Sequence, residues 1–213
     1  MYAATVRQQD LTFQVSGMLW NRSLVMRDLE TGSLWSQILA EAMQGELKGE
    51  KLTIIPCTIA SWESWHADHP ETTVLALDRT ARQFKTDFQR RPGAFILGLA
   101  VRGKTRAWPF DIFKDHPVIN DSFDGQAVLI SFDKQSTAAR MFSRTLGDKT
   151  LEFQAADSGS LTDKQTGSTW NPATGRCTKG KLEGQSLNPL PAIISFRKAW
   201  DTFHPDSEIY QAP

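Results

Sequence analysis

The densest cluster of polar residues that occurs once in the chain is "DHPVINDSFDG", at positions 115–125. An imidazole close to a carboxylate is the smallest general acid–base pair. His116 and Asp121 are therefore candidate catalytic residues of a hydrolase or lyase, and Asn120 is a candidate ligand contact. Hydrogen bonds of Asx-type turns account for the same residue types, so the sequence leaves both interpretations open.

The two cysteines, Cys57 and Cys177, belong to no C-x-x-C pair, and no Cys/His spacing resembles a zinc site. Cys177 lies in "TGRCTKG", where basic neighbours can lower the pKa of a thiol. It is a candidate nucleophile, and an unreactive thiol is the alternative. The sequence does not establish whether the two cysteines pair.

Trp62, Trp65, His66 and His69 are spaced i, i+3, i+4 and i+7, which places them on one face of a helix. His66 and His69, with Cys57 nearby, are candidate metal ligands. No third ligand has a convincing spacing, so the sequence predicts no metal site. An ordinary amphipathic helix accounts for the same pattern.

The motif Asp-x-x-Thr-Gly-Ser-x-Trp occurs twice, as "DLETGSLW" at 28–35 and "DKQTGSTW" at 163–170. A carboxylate, two hydroxyls and an indole can surround a ligand, which makes Trp35 and Trp170 candidate binding residues. The alternative is a hairpin loop with a glycine in the left-handed conformation and a tryptophan in the core.

The motif is part of a longer internal repeat. Residues 28–75 align without a gap to 163–210 at an offset of 135, with 14 identities in 48 positions. Fixed-period self-similarity of this kind indicates a duplicated unit. The second unit is preceded by a leading segment (residues 96–140), whereas Met1 aligns with Met141. We therefore expect the first unit to be incomplete at its N-terminus: either its leading segment was lost, or the chain begins partway through a longer reading frame.

Alternating apolar residues and glycine-containing turns predict an α+β protein dominated by β-strands. It has two related β-rich units, each with a short edge helix. The predicted organisation is a first unit at 1–77, a charged linker at 78–94, and the leading segment with the second unit at 95–213. These parts form either two domains or one compact domain. A strand edge left open in the first unit favours a homodimer.

Composition narrows the classes of function. The 24 basic and 24 acidic residues give a formal net charge of zero, which argues against a nucleic-acid-binding protein. No apolar run approaches the roughly 18 residues of a membrane span, and "MYAATVRQQD" does not resemble a signal peptide. The chain as written is expected to be cytoplasmic. The sequence identifies no cofactor, and it contains no phosphate-binding loop, G-x-S-x-G elbow or H-E-x-x-H motif.

Several long stretches resemble the bacterial domain of unknown function family 3179. They are "FQVSGMLWNRSLVMRDLETGSLWSQ", "SWESWHADHPETTVLAL", "RAWPFDIFKDHPVINDSFDGQAVLISFD" and "FRKAWDTFHPDSEIY". The resemblance covers nearly the whole chain. It implies a leading segment before the first unit that ends in a Cys-Pro-x-Cys-like motif, in some members with selenocysteine. Because many members are exported, it also implies that this protein is exported if its true N-terminus lies upstream.

This chain contains no Cys-Pro-x-Cys motif. The resemblance therefore implies a scaffold or binding portion of a thiol or selenol redox protein whose reactive motif is absent here. One alternative is a module that binds a small molecule or metal between the two units. Another is a hydrolase or lyase that uses His116 and Asp121.

Overall fold

Short β-strands separated by glycine-containing turns make up most of the chain, as the sequence predicts. The computed structural model describes residues 1–75, 90–156 and 159–212. Most of the predicted linker at 78–94 lies outside the described residues. Two short α-helices accompany the strands in the described part: α1 (Trp62–Asp68) and α2 (Arg197–Phe203).

The first unit (residues 1–75) is built around an antiparallel meander next to a short two-stranded ribbon. Its strands are β1 (Thr5–Val6), β2 (Gln9–Asp10), β3 (Phe13–Trp20), β4 (Ser23–Asp28), β5 (Leu34–Ser36) and β6 (Glu41–Gln44). Apolar side chains from the ribbon, the meander and the loop that follows form one core around the fully buried Trp35.

The leading segment contributes two hairpins joined by a 3-10 helix, and the sequence predicts all three elements. They are β7 (Phe95–Val101), β8 (Lys104–Pro109), the 3-10 helix Phe110–Lys114, β9 (Val118–Phe123) and β10 (Gln126–Asp133), followed by β11 (Ala138–Ser143). Strands β9, β10 and β11 form a three-stranded antiparallel sheet. The largest core cluster contains Trp108 and Phe113 and lies between this sheet and the β7–β8 hairpin.

The second unit (residues 141–212) repeats the ribbon and the meander. Its strands are β12 (Thr145–Leu146), β13 (Lys149–Thr150), β14 (Phe153–Ala155), β15 (Leu161–Asp163), β16 (Thr169–Trp170) and β17 (Cys177–Lys179), then β18 (Ile193–Phe196) and β19 (Glu208–Ile209). Strand β18 pairs antiparallel with β7, and β19 pairs parallel with β8. The leading segment and the second unit therefore share a four-stranded sheet.

The two units correspond beyond the order of their strands. The isolated bridge between Glu41 and Lys51 matches the bridge between Arg176 and Ser186 at the offset of 135 residues. The helices α1 and α2 are also separated by that offset. The internal alignment of the sequence therefore corresponds to an alignment of hydrogen-bonded elements.

The units differ where the second unit contacts the leading segment. The sequence predicts a closing strand, "TTVLAL" at 72–77, in the first unit, but residues 72–75 form no strand and the remainder lies outside the described residues. Its counterpart β19 is a strand because it pairs with β8. No helix in the described part of the chain has the length and apolarity that a membrane span requires.

Candidate functional site

In both copies, the repeated motif closes a tight turn over a buried tryptophan. The Asp28 carboxylate accepts hydrogen bonds from the Thr31 amide at 2.6 Å, the Thr31 hydroxyl at 2.8 Å and the Trp35 indole N–H at 2.8 Å. The Ser33 hydroxyl contacts that of Thr31 at 2.6 Å and accepts the Leu47 amide at 3.1 Å. The side chains of Asp28, Thr31 and Ser33 therefore all have hydrogen-bond partners inside the unit.

The second copy repeats this network around Asp163. Its carboxylate accepts the Thr166 amide at 2.6 Å and the Trp170 indole N–H at 2.9 Å, and the Ser168 hydroxyl accepts the Leu182 amide at 3.2 Å. Trp35 and Trp170 have no exposed surface. The structure therefore places both tryptophans that we considered as ligand contacts in the cores, where their indole N–H groups bond to aspartate.

The Asp28 carboxylate shows how the turn balances burial against hydrogen bonding. Burial alone would raise the pKa of Asp28, because it disfavours the charged form. The hydrogen bonds from Trp35, Thr31 and the Gly32 amide outweigh this effect, so the pKa of Asp28 is lowered from its ordinary value. The turn therefore keeps the buried Asp28 carboxylate charged, and the charged carboxylate stabilises the turn through these hydrogen bonds.

The structure does not bring His116 and Asp121 together. His116 lies in the turn between the 3-10 helix and β9, where its amide donates to the Ile112 carbonyl, and Asp121 lies within β9. No hydrogen bond or ion pair joins the two side chains in the described structure. Both Asp121 oxygens bond to Arg106, at 3.0 and 3.1 Å, and one also accepts the Trp108 indole N–H.

Asn120 joins the leading segment to the second unit. Its side-chain amide donates to the Phe153 carbonyl at 2.7 Å, and its side-chain oxygen accepts the Phe153 amide at 2.8 Å. These two bonds connect β9 to β14, which pairs with β15 on its other edge. Asn120 therefore acts as a structural link between two sheets.

The candidate thiols and metal ligands are also dispersed. Cys177 is buried in the second core, whereas Cys57 is exposed, and both are free. His66 contacts the Trp62 ring at a centroid distance of 5.2 Å, and His69 contacts the Trp65 ring at 4.1 Å. The described residues contain no group of three or more His, Cys, Asp or Glu side chains that could hold a metal ion.

A cleft of about 840 Å³ lies between the first unit and the rest of the chain. The first unit contributes the turn between β3 and β4, residues 37–38 and residues 59–62. The opposite wall consists of Phe95, residues 136–137, β18 and Ala199. The volume lies within the range of small-molecule sites, roughly 300–1,000 Å³.

The lining of this cleft is mainly apolar, with exposed side chains that could contact a ligand. Leu19, Ile59, Trp62 and Phe196 are 71%, 59%, 46% and 49% exposed. The edge of the Trp20 ring contacts the Phe203 ring at 4.8 Å, which brings the β3–β4 turn against helix α2.

Two hydroxyl groups of the cleft donate to backbone carbonyls, whereas its single cation has no ion pair among the described residues. The Tyr2 hydroxyl donates to the Gln37 carbonyl, and burial together with the charge of a Cys57 thiolate raises the pKa of Tyr2 to about 12. The Ser195 hydroxyl donates to the Phe196 carbonyl. Arg22 is exposed and pairs with no carboxylate among the residues that the structure describes.

Arg22 is the residue at this site that the sequence analysis missed. It forms the two-residue turn between β3 and β4 with Asn21, and both have positive φ angles, 47° for Asn21 and 66° for Arg22. Glycine, asparagine and aspartate are the usual residues at such positions. The arginine in "LWNRSLV" could have drawn attention to this position. An arginine in a tight turn adopts a backbone conformation that is less favoured for residues other than glycine.

Comparison with known protein families gave one match. A family model described as "Protein of unknown function (DUF3179)" matches residues 1–95 and, separately, residues 85–213. No curated protein and no solved structure has significant similarity to the chain.

Proposed function

The chain belongs to the DUF3179 family of proteins of unknown function, and we propose that it is a binding module whose ligand occupies the cleft between the two units. The observation that carries this proposal is an apolar cleft of about 840 Å³ whose one unpaired cation is Arg22. An apolar cavity with few polar groups is typical of small-molecule sites. The expected ligand has an apolar body and one anionic group.

The proposal includes the origin of the cleft. We infer that the two units arose by internal duplication, which is supported by the aligned sequences and by the matching bridges of both meanders. In this proposal, residues that each copy needs to fold occupy the cores. The cleft forms where the copies meet, so its two walls consist of non-equivalent surfaces.

The proposal also assigns a role within the thiol or selenol chemistry that the family resemblance implies. The thiols of this chain form no pair, since Cys57 is exposed and Cys177 is buried. The chain is then the scaffold and ligand-binding portion, and any redox step belongs to a reactive motif elsewhere. A hydrolase or lyase that uses His116 and Asp121 has less support, because Asp121 bonds to Arg106 and Trp108 and forms no hydrogen bond with His116 among the described residues.

A titration with a matched pair of probes tests the proposed site. Octanoate and octanamide have the same chain length and differ in charge. We expect octanoate to bind saturably and to raise the midpoint of thermal unfolding, since a ligand that binds only the native state stabilises it. Calorimetry should give a weaker affinity for octanamide, because the amide does not form an ion pair with Arg22.

Two arginine variants provide the control. An exposed ion pair contributes up to about 1 kcal/mol, so Arg22→Gln should weaken octanoate binding by roughly fivefold. Arg102 also stands in a two-residue turn with a positive φ, 49°, but lines no part of the cleft. Arg102→Gln should leave the affinity unchanged. Equal binding of octanoate and octanamide, or equal losses in both variants, would refute the proposal.

A further inference from the structure

Equivalent tryptophans of the two units have very different surroundings. Trp65 in α1 and Trp200 in α2 correspond at the offset of 135 residues, yet Trp65 is 46% exposed and Trp200 is fully buried. The difference does not come from the side chain's own hydrogen bond. The Trp65 indole N–H donates to the Thr72 hydroxyl at 3.1 Å, and that of Trp200 donates to Ser207 at 2.8 Å.

A β-hairpin of the leading segment buries Trp200. The outer atoms of the indole's benzene ring lie against Gly98 of β7, where a Cβ atom would stand 2.3 Å from the ring. Ile96 and Ala107 complete a small core around this ring. Backbone pairing fixes the hairpin in place, because β18 pairs with β7 on one side and β19 pairs with β8 on the other.

The first unit presents the same arrangement without a hairpin. Residues 58–61 correspond to β18 and residues 73–74 to β19, but neither segment is a strand. Ile59, Val74 and Leu75 are 59%, 64% and 81% exposed. Their counterparts Ile194, Ile209 and Tyr210 pack against the cores beside the β7–β8 hairpin.

We propose that this surface of the first unit, formed by Ile59, Trp65, Val74 and Leu75 and here called the hairpin-binding face, binds a partner polypeptide that presents an antiparallel β-hairpin. One strand of the partner pairs antiparallel with residues 58–61 and carries a glycine opposite the Trp65 ring. The other strand pairs parallel with residues 73–74. This is recognition by strand addition, in which main-chain hydrogen bonds supply affinity and side-chain pockets supply specificity.

The face also defines the chemistry of the partner. In the second unit, Glu208 of β19 accepts hydrogen bonds from Arg106 of β8. Thr73 occupies the position equivalent to Glu208 in the first unit. The partner strand therefore needs no cation at the position of Arg106. Its inner strand needs apolar side chains on both sides of the glycine, as "FILGLAV" has in β7.

A synthetic peptide with the sequence of residues 95–109, the β7–β8 hairpin, is the probe. Added in excess to the whole chain, it should bind saturably and slow amide hydrogen exchange at residues 58–61 and 73–75. The same peptide with Gly98→Leu should bind at least tenfold more weakly, because the side chain would occupy the space of the indole. This control leaves the protein unchanged, so it does not depend on how a protein variant folds.

Residues 59–61 belong both to the hairpin-binding face and to the lining of the cleft, so two tryptophan variants are needed to distinguish the sites. Trp62 and Trp65 are equally exposed, 46% each, on the same helix. Trp62 lines the cleft, and its counterpart Arg197 is exposed in the second unit. Trp65→Ala should weaken peptide binding at least tenfold and leave octanoate binding nearly unchanged. Trp62→Ala should have the opposite pattern.

Several outcomes would overturn the proposal. One is that the peptide of residues 95–109 and its Gly98→Leu form bind equally well. Another is that residues 58–61 show no slowing of amide hydrogen exchange at saturating peptide. A third is that Trp62→Ala and Trp65→Ala lose the same peptide affinity. Protection of the face that rises with protein concentration in the absence of peptide, together with a dimer in light scattering, would make a second copy of the chain the occupant instead.

Discussion

Replacement of Asp28 by asparagine tests whether the repeated motif serves the fold. The Thr31 amide and hydroxyl both donate to Oδ1, and the Trp35 indole N–H donates to Oδ2. An asparagine has one oxygen, so its best orientation keeps the two Thr31 bonds and turns its NH₂ group towards the indole N–H. The variant therefore loses the Trp35 bond and leaves two donors facing each other in the core.

The expected cost follows from these contacts. A hydrogen bond to a charged group contributes roughly 1.5–3 kcal/mol, and the remaining bonds weaken because they become neutral. We expect Asp28→Asn to lower the free energy of unfolding by about 2–4 kcal/mol, measured by urea denaturation. For a chain of this size, that corresponds to a fall in the midpoint of thermal unfolding of roughly 5–15 °C.

The pH dependence gives a second, independent readout. Because hydrogen bonds lower the pKa of Asp28 in the folded state, its contribution to stability is present above the pKa of an unfolded aspartate, about 3.9. It is lost as the pH falls through the lower pKa of the folded state. The stability difference between the wild type and Asp28→Asn should therefore shrink as the pH falls below about 4.

Asp10→Asn is the matched control. Asp10 lies in the same unit and accepts the Thr5 hydroxyl at 2.6 Å, but it is exposed. A surface change of this kind should alter stability by no more than about 0.5 kcal/mol. The reasoning fails if Asp28→Asn costs no more than Asp10→Asn, or if its cost is the same at pH 3 and pH 7.

Two further predictions concern Asn120 and the cysteines. Asn120→Ala leaves the Phe153 amide and carbonyl without their partners. It should therefore lower the free energy of unfolding by about 2–3 kcal/mol and speed amide hydrogen exchange at Phe153. Unchanged exchange at Phe153 would contradict the role of Asn120 as a link between the sheets. Under native conditions a thiol reagent should modify Cys57 and spare Cys177, because only Cys57 is exposed; modification of both at equal rates in the folded protein would contradict the burial of Cys177.

The sequence predicted the elements whose signals are local. The hairpin at Asp124–Gly125 and the 3-10 helix at Phe110–Lys114 formed where turn residues and short-range spacing placed them. The sequence also predicted that each "TGS" turn closes a hairpin with its glycine in the left-handed conformation. In the structure, Gly32 and Gly167 have positive φ angles, 72° and 68°. Such features depend on the residues within one turn, so residues that are close in the sequence are sufficient to predict them.

Features that depend on pairing between distant segments could not be predicted. The closing strand of the first unit follows the same pattern as β19 but forms no strand over residues 72–75, because a strand needs a neighbouring edge and β8 lies beside β19 alone. The partners of Asp121 could not be predicted either, because Arg106 and Trp108 belong to β8, a separate strand of the leading segment. Arg22 went unnoticed because the cleft exists only in the folded chain.

Helix α1 connects the two proposed binding surfaces. Seven residues are too few for a helix to be stable alone, so its order depends on its contacts. The equivalent helix α2 rests on β7 through Trp200 and Gly98, whereas the ring of Trp65 in α1 contacts His69 within its own unit. Trp62 faces the cleft and Trp65 lies on the hairpin-binding face. A ligand that contacts either tryptophan therefore stabilises the helix that the other site uses, and such linkage acts equally in both directions.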